Sequence, residues 1–578
     1  MELSKWLHDD EWLDSLHPEA LSERAKKAVS QLRFTFNEKE IEKLIQEVVD
    51  GLLQIDRQCK MVSLRAFYEP GNHEINENYD RLSDYQLLYL SSFSEFFQSV
   101  SDSTRGSRVL SSVFPSLPQD FPRLAGAYNP DLLPLLRKER QLVSEFQSRL
   151  EEISLSGTRP AVVKGGVRQL LQSLSRDHRM RAYLSLTGRI RAYRNEMEKL
   201  FLSLHELRRN IGQKAGFSTY HDFLLAKNGI DEKSRADVHR FRHLVEKHIA
   251  PLSDVIRQAQ WERIKVYDPA PWDALYLSPS GVPTLAEEAF PLEGTYLKAL
   301  RYIFSSKVPL FDAMNRKGAL SFHVTGSVGQ IDRVHNICSH DAMAGINSAF
   351  FPEIGQSFLL LSSVPQEWLC RILFSETGSL LYDQFAQKQN SISLSLLDSG
   401  LLRQLARYSM VILSQRAWGL FYNQLTRYAK EYDLIEWALD LPLYCALDEM
   451  EEFICRARVS NLAVFRHAWS EIATRYRLEG TSPDKPGLIP VDDLWLFSPL
   501  WWIQPLSGIE QALAQVMVLG SLPYGRYHQR LEECFTRLLL EDEPKTPFAL
   551  IEDAGYPSPF AEETVQKAAF SIVDFLGL

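Results

Sequence analysis

Residues 357–388 read SFLLLSSVPQEWLCRILFSETGSLLYDQFAQK. The apolar run from Ser357 to Ser363 has the texture of a short strand, buried or at a sheet edge, and a turn follows at Val364-Pro365. Beyond it the apolar residues fall at helical spacing. Inside this helix Ser375-Glu376-Thr377-Gly378-Ser379 sets two hydroxyls at i and i+4, on one face, around a glutamate. The spacing is that of H-E-x-x-H, in which two imidazoles hold a zinc ion and the glutamate is the general base. Here serines stand in both ligand places. An S-E-x-x-S string carries no information alone, so the reading depends on what surrounds it.

On the N-terminal side the pattern is helical. EIEKLIQEVVDGLLQIDRQ (40–58) is representative of the stretch from Leu21 to Gln98. The Ser- and Pro-rich segment from Ser99 to Pro134 interrupts it and marks a boundary. Helices resume to about Gly216, with charged faces in SRLEEI and RNEMEKLFLSLHELRRN that read as solvated surface. Between Tyr267 and Gly355 turn residues and β-formers replace the helical period, which predicts a small sheet embedded in helices. The expected division is 1–110, 111–200 and 201–578.

The chain has 578 residues, 64 basic against 74 acidic, and a formal charge of -10. Without a basic run this excludes a nucleic-acid footprint. No apolar run reaches the ~18 residues of a membrane span. The six cysteines are scattered without a C-x-x-C pair, and MELSKWLHDDEWLDSL lacks the basic start and apolar core of a secretion signal. A cytoplasmic protein with reduced thiols is expected, as a monomer or homodimer.

Several segments, in order, resemble the oligoendopeptidase F branch of the thimet oligopeptidase family of zinc metallopeptidases. RRNIGQKAGFSTYHDFLLAKNGI (208–230) is similar to that family's R-x-x-x-A-x-x-x-G-F-x-x-Y-x-D helix pair. Pro271-Trp272-Asp273 occupies the place of its short substrate-domain signature. The stretch from Ser357 to Ser379 matches the strand, turn and helix that end in H-E-x-G-H, with the glycine kept as Gly378. WLFSPLWWIQPLSG (495–508) resembles H-F-Y-x-x-F-Y-V-Y-Q-Y-A-x-G, with Gln504 and Gly508 in step. The resemblance implies a mainly α, two-lobed helical fold with a small β-sheet at a deep central channel that admits short peptides.

The departures bear on function. Ser375 and Ser379 are poor zinc ligands beside imidazole. The family's third ligand is a glutamate roughly 28 residues after the first histidine. Here that position is Arg403, Gln404 or Ala406, depending on the alignment of the loop, and residues 399–430 contain five basic residues and no acid. The family's His and Tyr oxyanion donors are missing as well, since 491–523 contains neither residue. Trp495 stands at the histidine's place, with Trp501 and Trp502 following. Glu376 remains, and without a metal-bound water its expected partner is a base such as Arg403 or Arg407.

Other clusters are weaker. His239 and His243 flank Arg-Phe-Arg and read as a solvated face. His323, His335, Cys338 and His340, followed by Asp341, do not have a standard zinc spacing and read as polar wall residues that could touch a ligand. Lys164-Gly165-Gly166 lacks phosphate-loop spacing, and no G-x-S-x-G elbow occurs. The resulting expectation is a peptidase homologue without zinc or other cofactor that binds a peptide, peptide-like ligand or protein partner, with an anionic group on the ligand suggested by the basic stretch. The expected cleft residues are Phe358, Leu360, Ser362, His335, His340, Arg407, Trp495, Trp501, Trp502 and Gln504. The strand Phe358 to Ser362 is expected to pair with the peptide backbone. Metal-independent chemistry through Glu376 is the alternative, and a zinc peptidase with substitute ligands the least favoured.

Overall fold

The computed structural model describes residues 18–68, 73–113, 130–155, 170–227, 232–274, 276, 281–303, 320–324, 346–351, 355–361, 364–388, 400–457, 461–478, 491–522, 528–541 and 545–578. Helices dominate, as their amphipathic spacing predicts. The first four, α1 (Pro18–Leu32), α2 (Glu38–Tyr68), α3 (His73–Ser101) and α4 (Thr104–Val113), close around an apolar cluster that runs from Leu21 to Leu110. Tyr89 fastens α3 to α2 by donating its hydroxyl to the Val48 carbonyl at 2.6 Å. A second, much larger core begins at Leu132 and runs to Ile572. The helices α5 (Leu133–Leu155) and α6 (Arg176–Lys214) pack into this second core, so the stretch 111–200 has no apolar centre of its own among the described residues.

The sheet has three strands, β1 (Leu320–Val324), β2 (Ile346–Phe351) and β3 (Gln356–Leu361), in the order β1-β3-β2. β3 runs parallel to β1, with Leu320 opposite Ser357, and antiparallel to β2, with Ser348 opposite Leu359. The run SFLLL is therefore the central strand, and its uninterrupted apolar character reflects burial on both faces. Period-2 alternation divides its side chains. Phe358 and Leu360 join Ala349 and Phe351 against Met61 and Leu64 of α2. Leu359 and Leu361 point into the large core with Phe322.

Under the other face lies α7 (Leu369–Lys388), antiparallel to α8 (Gly400–Ser414). α7 is buried nearly all round, as expected for a helix apolar on every side, and from Leu369 to Ala386 only Glu376 and Asp383 are partly exposed. Gly378 lets the two helices touch. A Cβ there would lie 2.5 Å from the Ala406 carbonyl oxygen and 2.7 Å from the Arg407 Cα. Two further helices complete the frame, α9 (Thr426–Arg456) and α10 (Ser507–Gly520). No described helix is long and apolar enough to cross a membrane.

Candidate functional site

Glu376 and Asp383 are seven residues apart on one face of α7. Opposite them, Arg403 and Arg407 are four apart on α8, and they are the two partly exposed residues between Leu401 and Leu413. The antiparallel helices join these faces as two rungs. Arg407 Nη2 donates to Glu376 Oε1 at 2.9 Å, and Arg403 Nη2 lies 2.9 Å from Asp383 Oδ1. Arg403 also sits over the Tyr382 ring at 4.8 Å.

The first rung continues in both directions. Arg407 Nε donates to Ser375 Oγ at 2.7 Å, and Ser348 Oγ on β2 donates to Glu376 Oε2 at 2.7 Å. The carboxylate thus joins three elements. Glu376 and Arg407 keep 17% and 14% side-chain exposure, so the pair borders solvent and is not sealed in the core. Ser375 and Ser379 are buried, as is Thr377, whose hydroxyl bonds Leu373 O at 2.8 Å and Tyr296 at 2.7 Å.

This geometry separates the three spacing-based candidates for the third ligand position. Arg403 reaches Asp383, more than two turns along α7 from Ser375. Gln404 turns into the core at 8% exposure, and Ala406 presents its backbone to Gly378. The group that reaches Ser375 and Glu376 is Arg407. The residues present do not fit a zinc ion: two hydroxyls are weak donors, and a guanidinium hydrogen-bonded to both Ser375 and Glu376 repels a cation. At an effective dielectric of 20, unit charges 4 Å apart interact by about 4 kcal/mol. Among the described residues no three His, Cys, Asp or Glu side chains are arranged to share a metal.

The five basic residues of 399–430 are not an open positive patch. Arg403 pairs with Asp383, Arg407 with Glu376, Arg416 with Glu532 at 2.9 Å and Arg427 with Glu431 at 2.9 Å. Burial holds Lys430 below the ordinary lysine range. The acids that pair with Arg403, Arg407 and Arg416 come from other elements, and Arg427 pairs within its own helix.

Other expected cleft residues lie elsewhere. β3 has a partner along both edges, so Phe358 and Leu360 cannot receive a peptide backbone; short apolar runs look alike at the edge and centre of a sheet. The edge strand of the described sheet beside Glu376 is β2, through Ser348. Trp495, Trp501 and Trp502 belong to the core, at 2%, 4% and 0% exposure. Trp502 stacks on Phe146 at 4.1 Å and donates its indole N–H to Leu496 O at 2.9 Å, while Trp495 meets Phe201 edge-on at 4.9 Å. Gln504 is exposed. Ser362, His335, His340 and Cys338 lie outside the described residues. His239 is 3.2 Å from Glu452, in an ion network with Arg242 and Asp448.

The segments that carried the resemblance are physically joined. Arg208 donates to the Trp501 carbonyl and, at 2.9 Å, to that of Trp502, while its Nε bonds Glu139 at 2.6 Å. Tyr220 donates to the same Glu139 oxygen at 2.8 Å. The next anchor is Glu451 of α9. Both its oxygens accept the Leu506 N–H at 3.1 Å, and burial, then nearby Asp448, push its carboxyl up to about 8. Asp273 of the Pro-Trp-Asp turn is fully buried and accepts from Arg179 at 2.7 Å and Arg176 at 2.9 Å. These polar residues fasten the frame around the site; sequence spacing could not show which of them touch.

No protein-family model and no curated protein sequence matches the chain. Solved structures do. A structure described as PZ peptidase A with an inhibitor is 18% identical, with 97% of each chain covered and a TM-score of 0.81. An oligoendopeptidase F structure from Bacillus anthracis is 16% identical over 97% of this chain and 96% of that one, with a TM-score of 0.78. The oligoendopeptidase F of Enterococcus faecium is 12% identical over 98% and 97%, with a TM-score of 0.59. The chain has the oligoendopeptidase F-like fold of the peptidase structures. At these identities the likeness concerns the fold alone.

Proposed function

We propose that this chain is a zinc-independent peptidase homologue that holds an extended peptide or peptide-like partner along the outer edge of β2, above the Glu376–Arg407 pair. The observation that carries this reading is the guanidinium of Arg407 bound to Ser375 and Glu376, in the place where the family resemblance puts a metal and its ligands. A peptide would gain affinity from main-chain hydrogen bonds to the strand edge. Because the ion-pair rungs are neutral, an uncharged segment suits the site better than an anionic one. Glu376, with both oxygens already engaged, acts as a structural acceptor in this reading. A cytoplasmic location belongs to the proposal, supported by five described cysteines that are all free thiols.

The test is metal analysis of the purified chain together with equilibrium dialysis against a tryptic digest of casein, read by mass spectrometry. Less than a tenth of an equivalent of zinc and selective, chelator-insensitive retention of peptides are expected. One tightly held zinc per chain, or no retained peptide, refutes the proposal. Peptide turnover lost in Glu376→Gln without metal would move the assignment to a metal-independent enzyme.

A further inference from the structure

Glu376 stays although every reason for a general base beside it has gone, and its contacts supply a different reason. Its two oxygens face different elements: Oε1 takes Arg407 of α8 at 2.9 Å, and Oε2 takes Ser348 of β2 at 2.7 Å. Arg407 closes the chain of contacts by donating to Ser375 at 2.7 Å, back on α7. We infer that Arg407 and Glu376 form a strut that fixes the edge strand β2 to the helix pair α7 and α8, a joint made by a side-chain cation where a metal would otherwise draw ligands together.

Three observations support this. Edge strands have only one ladder to hold them, and β2 has its single described strand partner in β3. The two faces of β2 are tied separately, Asn347 to Ser63 of α2 at 3.2 Å and Ser348 to Glu376. The tie to Ser63 joins two neutral groups, whereas the tie to Glu376 is charge-assisted and itself braced by an ion pair, which makes it the stronger of the two. The other rung joins the same helices through the Arg403–Asp383 ion pair, which lies between α8 and α7, and serves as the comparison. Arg407 is accordingly a positioning residue for the proposed peptide edge, and in that respect the inference rests on the functional reading above.

Hydrogen exchange followed by mass spectrometry over residues 346–351 tests the strut without any ligand. Arg407→Ala and Ser348→Ala should each speed exchange there about tenfold, the loss of one charge-assisted hydrogen bond. The double variant should exchange no faster than either single one, because the two contacts act in series. Arg403→Ala should leave the segment as in the wild type. Arg407→Lys, which keeps the charge but not the two-nitrogen reach, should fall between. EDTA should change nothing. Unchanged exchange in Ser348→Ala overturns the inference even if Arg407→Ala does not fold. Additive effects in the double variant, an equal response in Arg403→Ala, or faster exchange on adding EDTA would also overturn it. Failure of peptide retention with this exchange pattern intact removes the proposed function and leaves the strut standing.

Discussion

Replacing Gly378 by alanine tests how closely α7 and α8 must touch. Two effects oppose. Alanine in a helix interior gains about 1 kcal/mol over glycine. Against that, the added Cβ would meet backbone atoms at 2.5, 2.7 and 2.8 Å, where ordinary contact begins near 3.4 Å. Those atoms are the carbonyl and Cα of residues 406 and 407, which no rotamer change can clear. The helices must part by roughly 1 Å, losing dispersion contact along a well-packed seam. Overpacking of this kind costs about 1 to 3 kcal/mol, so Gly378→Ala should lose the helix gain entirely and be net destabilised by up to about 2 kcal/mol. Gly188 is the control. It lies mid-helix in α6 with nothing within 4 Å of its would-be Cβ, and Gly188→Ala should stabilise by about 0.5 to 1 kcal/mol. Both are read from urea unfolding midpoints, with slopes checked for constancy. If Gly378→Ala is as stable as Gly188→Ala, the close crossing is wrong and so is the placement of Arg407 that depends on it.

Trp502→Ala should lower stability by about 3 to 5 kcal/mol, since it empties a fully buried stack on Phe146; a midpoint unchanged from the wild type would restore the pocket-lining reading. Asp273→Asn should cost about 3 to 5 kcal/mol by leaving the buried Arg179 guanidinium without its counter-charge, measured in the same way, and no loss would refute the weight given to this pair. Glu451 binds its proton up to about pH 8 in the folded chain against about 4.5 unfolded, so its contribution to stability is complete below 4.5 and lost as pH rises through 8. Glu451→Gln should therefore gain on the wild type between pH 6 and 9, and parallel curves would refute the shift. His221 has the opposite sign: burial drives it down to about 4, so its contribution is present above pH 6.5 and lost as pH falls through 4. His221→Gln should flatten that acid limb.

The sequence made the long helix and the small sheet legible because periodicity survives in a single chain. The S-E-T-G-S helix runs where its spacing predicts. What periodicity could not supply was neighbours. SFLLL has one pattern whether it lies at the edge or the centre of a sheet, and only the register with Leu320 and Ile346 decides. Arg403 and Arg407 are one turn apart, and the segment before them has no pattern to fix the alignment. The choice between them falls to the contact between Gly378 and Ala406, which appears only in three dimensions. Trp495, Trp501 and Trp502 have the composition of a binding wall, and it is Phe146, Phe201 and Phe465, distant in sequence, that turn them into core. The acids that neutralise the basic stretch, Glu376, Asp383 and Glu532, likewise lie outside it.

The cover that α2 gives to one face of the sheet sets a limit on dividing the chain. Met61 and Leu64 roof Phe358, Leu360, Ala349 and Phe351. A fragment beginning after residue 110 would keep every residue of the candidate site, yet it would present those four side chains to water as a sticky surface beside the edge strand β2. Such a fragment should self-associate. The helix α2 is therefore the roof over this face of the sheet, and expression of the latter part by itself should succeed only with polar replacements on that face.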